Sequence, residues 1–87
     1  MYKILIVEDD PVIASSLARQ LTRWNYEATY VQEFDHVMQE FEKAQPDLVL
    51  MDITLPYFSG YYWCAEIRKI SRVPIVFLSS AADEMNQ

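Results

Sequence analysis

Three carboxylates stand where apolar runs stop. Glu8 and Asp9 follow the run KILIV at residues 3–7, and Asp52 follows the run DLVLM at residues 47–51. Three such groups brought together would repel and raise one another's pKa unless a positive charge neutralised them. Oxygen-only donors, with no histidine among them and a single cysteine far along the chain, select a hard divalent cation, magnesium or manganese in its place. Magnesium accepts a few carboxylates together with water and phosphate oxygens, so the pattern points to phosphate chemistry. An aspartate carboxylate can attack phosphorus and give an acyl phosphate, and Asp52 is best placed for that role. Plainer readings stand beside this one. An acidic pair after a strand is commonly a solvated turn, Ser79 after VPIVFL is an ordinary strand-end hydroxyl, and Pro56 with Gly60 is an ordinary turn. The joint occurrence of Glu8, Asp9, Asp52 and Ser79 favours a site.

The apolar runs also say what would position these groups. KILIV is short and rich in β-branched residues, which reads as a first strand. Asp10 followed by Pro11 reads as an N-cap with proline at the first helical position, and Ile13, Leu17, Leu21 and Trp24 then recur at helical spacing. Residues 26–31 alternate enough for a second strand nearer an edge, and Phe34, Val37, Met38 and Phe41 give a second amphipathic helix. DLVLM is a third strand, buried on both faces. A third helix runs over residues 61–70 with Trp63, Cys64, Ile67 and Ile70 inward, and VPIVFL at 73–78 is a fourth strand. Strictly alternating strands and helices predict an α/β fold with right-handed crossovers and a parallel sheet. Among doubly wound sheets, the flavodoxin-like order, here 2-1-3-4, sets strands one and three side by side at the switch point. That order would bring Glu8, Asp9 and Asp52 into one crevice.

Composition narrows the function classes. A chain of 87 residues, 52% hydrophobic and 23% charged, allows one small globular domain, residues 1–87. No apolar stretch approaches the ~18 residues of a membrane span, and the start turns acidic too soon for a signal peptide, so a cytoplasmic protein without membrane insertion is expected. Cys64, the single cysteine, fits a reducing compartment and a packing role. A net charge of −6 argues against direct nucleic-acid contact by this segment. Arg68, Lys69 and Arg72 fall at a helix end, where cations complement the macrodipole. Gly60 is the only glycine, which excludes a glycine-rich phosphate loop.

Three pieces of the sequence resemble the receiver domain of bacterial two-component response regulators: ILIVEDDP, DLVLMDITLPYFSG and VPIVFLSS. The resemblance implies that Asp52 is the phosphoacceptor and that Glu8, Asp9 and Asp52 hold Mg2+. It further implies that Thr54 offers a main-chain carbonyl to the metal and that Ser79 engages the phosphoryl group. Asp10 is then only the helix cap. A sensor histidine kinase is the implied partner, and the domain is an acceptor rather than an enzyme. PYFSGYYWCAEIR is further similar to regulators that respond to peptide antibiotics or envelope stress through a winged-helix output domain. His36 reads as an exposed polar residue, because the phosphorelay histidine belongs to the kinase in this family.

The chain departs from the family in ending at Gln87, ahead of the fifth strand, its phosphoryl-binding lysine and the fifth helix. The expectation is therefore a truncated receiver whose fourth strand is an open apolar edge, completed by a homodimer or larger assembly. Tyr57, Phe58, Tyr61 and Tyr62 crowd the start of the third helix, and some must be exposed. Two alternatives are weighed. A magnesium-dependent phosphohydrolase would have a second aspartate where Thr54 stands, and a pseudo-receiver without phosphoryl chemistry would not need Glu8, Asp9 and Asp52 intact.

Overall fold

Burial follows the apolar runs closely enough to define each layer. The computed structural model describes residues 1–78, so Ser79 lies outside the described residues. Seven elements alternate: β1 (Lys3–Val7), α1 (Pro11–Arg23), β2 (Glu27–Tyr30), α2 (Val37–Ala44), β3 (Leu48–Asp52), α3 (Gly60–Arg68) and β4 (Ile75–Leu78). The strands form one sheet in the order β2-β1-β3-β4, every pair parallel. The α/β doubly wound arrangement expected from the sequence is thus present, with strands one and three adjacent.

Alternation along the strands divides the core in two. Leu5, Val7, Val49 and Met51 point to the face covered by α2 and α3, where they pack with Val31, Val37, Phe41, Trp63 and Ile67. Ile4 and Ile6 point the other way, toward α1, which lies over β1 and β2 and buries Ala14. At the start of α1, Asp10 Oδ1 accepts from the N–H groups of Val12 at 2.9 Å and Ile13 at 3.4 Å, and Pro11 occupies the first helical position. The cap is as the sequence implies.

Three apolar residues lie elsewhere than their spacing suggests. Ile13 and Trp24 are exposed, since α1 turns the smaller Ala14 to the sheet and ends at Arg23, one residue before Trp24. Ile70 is exposed because α3 closes at Arg68. There the N–H groups of Ile70 and Ser71 both reach the Ile67 carbonyl, turning the chain away from the core. Phe34 packs on the core from the loop ahead of α2, and His36 sits at that helix's N-cap, paired with Asp35 at 2.9 Å. The basic residues after α3 serve local ends. Arg68 donates to the carbonyls of Val73 (2.6 Å) and Ser71 (3.4 Å), and Lys69 pairs with Glu66 at 2.8 Å.

Candidate functional site

The candidate site lies at the carboxyl ends of the two central strands. Val7 of β1 is in register with Met51 of β3, so the next residues along, Glu8 and Asp52, emerge side by side. Both are only 8% exposed, while Asp9 is exposed. One carboxylate oxygen from each of Glu8, Asp9 and Asp52 lies within 4.8 Å of the others, close enough to share a metal ion. The crevice inferred from strand order is therefore formed.

Local hydrogen bonds fix these groups. Glu8 Oε2 accepts from the Asp10 N–H at 3.0 Å, and Asp52 Oδ1 accepts from the Ile53 N–H at 2.9 Å. Asp10 spends its carboxylate on the helix cap and is no part of the cluster. Burial raises the Glu8 pKa above its ordinary value. The Asp10 N–H works against that shift, and the neighbouring Asp52 and Asp9 add to it. A divalent cation relieves such crowding, and an all-carboxylate donor set suits a hard ion. The residues present fit that group.

The loop from Ile53 to Ser59 carries the rest of the site. Thr54 lies exposed two residues beyond Asp52. Tyr57 takes a left-handed φ of 69° while the Phe58 N–H bonds back to the Pro56 carbonyl at 2.8 Å, a tight three-residue turn. Ser59 then caps α3 by accepting from the Tyr62 N–H at 3.3 Å. Tyr57, Phe58, Tyr61 and Tyr62 are all exposed at this corner, with Phe58 stacked on Tyr62 at 4.2 Å between ring centroids. Ser59 as a cap is the feature that sequence reading passed over; serine directly ahead of an apolar helical pattern was the available signal. A separate cavity of about 590 Å³ at the β2 and α2 edge is lined in part by Lys3, Tyr30, Glu40 and Lys43, and holds none of the three carboxylates.

Comparison with known proteins gives this geometry its family. The family model described as the response regulator receiver domain matches residues 4–87. The chain belongs to the response regulator receiver family. Among curated relatives, the transcriptional regulatory protein YvcP of Bacillus subtilis is 49% identical over 87 residues, which are 100% of this chain and 37% of that protein. The chain thus spans little more than a third of that relative's length. Among solved structures, the N-terminal domain of the nisin resistance regulator NsrR, a lantibiotic response regulator, superposes with a TM-score of 0.87 at 53% identity, covering 98% of this chain and 72% of that one. The complex of histidine kinase ThkA with response regulator TrrA gives a TM-score of 0.81 at 32% identity, covering 92% and 70%. Among the described residues, no helix is long and apolar enough to cross a membrane.

Proposed function

We propose that this receiver takes a phosphoryl group on Asp52 from a sensor histidine kinase, with Mg2+ held by Glu8, Asp9 and Asp52. The observation that carries the reading is the convergence of those carboxylates at the ends of β1 and β3. An Asp52 oxygen attacks phosphorus, the bond from phosphorus to the donor nitrogen breaks, and an acyl phosphate results. Bound magnesium supplies the positive charge that offsets the phosphoryl oxygens and the carboxylates. Glu8 and Asp9 hold that charge beside Asp52, and the Ile53 N–H orients the Asp52 carboxylate. By resemblance, the Thr54 carbonyl joins the metal's ligands and the Ser79 hydroxyl receives the phosphoryl group.

The same reading places the receiver in the cytoplasm as a non-enzymatic acceptor, in a regulator that answers peptide antibiotics as the name of NsrR suggests. Transcriptional output belongs to a separate domain, since the net charge of −6 does not suit DNA contact. A second copy of the chain is the proposed partner along β4, which among the described residues pairs only with β3. Sedimentation at micromolar concentration checks that, and a monodisperse monomer would remove it.

The chemistry is tested by intact mass after incubation with acetyl phosphate. One phosphoryl group should add in the presence of magnesium and none without it, and Asp52→Asn should remain unlabelled. A label that survives in Asp52→Asn would place the acceptor elsewhere. Repeated hydrolysis of phosphate esters would instead favour a phosphohydrolase.

A further inference from the structure

Glycine at residue 60 is usually explained by a backbone that no other residue can adopt. That explanation fails here, because Gly60 has no positive φ and sits as the first residue of α3. Space is the constraint instead. A Cβ built on Gly60 would lie 2.1 Å from the main-chain oxygen of Asp52, 3.0 Å from its carbonyl carbon and 3.0 Å from Met51 Cγ. The first two obstacles are backbone, which cannot rotate away as the end of a long side chain can. A hydrogen bond from the Gly60 N–H to the Ile53 carbonyl, 2.8 Å, ties the same two segments from the other side.

We infer that Gly60 is a positioning residue of the phosphoacceptor site, acting through the main chain of Asp52. Its missing side chain lets the start of α3 rest directly on the last residue of β3. That contact sets where β3 ends, and so where the Asp52 carboxylate stands relative to Glu8 and Asp9. Adding one methyl group must push the two segments apart by roughly 1 Å or more, since carbon and oxygen settle at ordinary contact distance. The displaced residue is the nucleophile itself. Misplacement on this scale can cost reactions that depend on positioning about 100-fold in rate.

The inference rests on Asp52 being the phosphoacceptor, and its test keeps the two apart. Wild type, Gly60→Ala and Val37→Ala are compared by thermal unfolding, by initial rate of labelling with acetyl phosphate and magnesium, and by Mn2+ affinity from water relaxation. Val37 is fully buried in α2 among apolar side chains and touches no carboxylate among the contacts described, so its truncation reports lost packing in the same core. Gly60→Ala should label about 10- to 100-fold more slowly per folded molecule and bind Mn2+ more weakly. Val37→Ala should unfold at lower temperature yet keep both within about twofold, because it leaves a cavity among apolar side chains and presses on no backbone of Asp52. If Gly60→Ala unfolds in plain buffer, a stabilising osmolyte should restore the fold without restoring the rate. Wild type that takes no label sinks the phosphoacceptor reading. Labelled wild type with Gly60→Ala equal to it, or declining only as Val37→Ala does, sinks the positioning role. A Gly60→Ala chain that folds in neither medium would make Gly60 a requirement of folding and would also overturn the assignment.

Discussion

Two rows of residues cross the sheet in the same register but on opposite faces. Leu5, Val49 and Ile75 form the row under α2 and α3; Ile6, Leu50 and Val76 form the row on the α1 side. Both begin fully buried at β1. The first stays covered, with Ile75 packed against the core, while the second opens from 0% exposed at Ile6 to 47% at Val76. Residue types hardly differ between the rows. Among the described residues the difference lies in the helices, because α1 packs mainly on β2 and β1 whereas α3 packs on β3. Burial at a given sheet position is thus decided by the layer above it, and the strand sequence alone does not set it.

The sharpest way to break this comparison is to empty the covered face. Trp63 is buried there, edge-on to Phe58 and Tyr62, and Trp63→Ala should cost about 4 kcal/mol in chemical denaturation. Trp63→Phe should cost much less. It keeps an aromatic ring and removes an indole N–H that meets no acceptor among the described residues. Equal losses from the two variants would mean that ring packing does not hold this face together.

The matched rows themselves give the next largest effect. Leu5→Ala should destabilise by about 3 kcal/mol, and Val76→Ala by no more than ~0.5 kcal/mol. Similar values from urea unfolding would show that the α1 side is as closed as the other.

The smallest effect belongs to the strand ends, where the two faces meet. Glu8 has a raised pKa in the folded state, so the folded protein holds its proton more tightly than the unfolded chain does. That contribution is fully present below the ordinary value of 4.5 and is lost as pH rises through the folded value. Without metal, Glu8→Gln should therefore gain on wild type as pH increases above 4.5, followed by thermal midpoint. Added Mn2+ should favour wild type. A pH-independent difference would remove the crowding inferred at Glu8.

Much of the site was legible because it sits at element boundaries. Apolar runs that end in Glu8 and Asp52 mark strand ends, and an alternating pattern fixes which strands are parallel, so convergence followed from topology. Asp10 with Pro11 was legible for the same reason: a cap is local chemistry. Ile13, Trp24 and Ile70 were misplaced because helical spacing defines a stripe but not where the helix stops or which small residue meets the sheet. The role of Gly60 was hidden for a different reason. Its partner is the backbone of Asp52, eight positions away, and a main-chain contact leaves no signature in residue types.

The two tryptophans of this chain live in opposite surroundings, Trp24 at 68% exposed and Trp63 at 6%. Their emission should separate accordingly, Trp24 fluorescing to the red in water and Trp63 to the blue. Replacing Trp24 with phenylalanine would leave one tryptophan, excitable at wavelengths where the six tyrosines absorb little, three residues beyond Gly60 and in ring contact with Phe58 of the loop that follows Asp52. Any rearrangement of that loop alters the packing around a single indole. The protein thus carries an optical reporter of its own acidic crevice, readable in the ultraviolet without an attached dye.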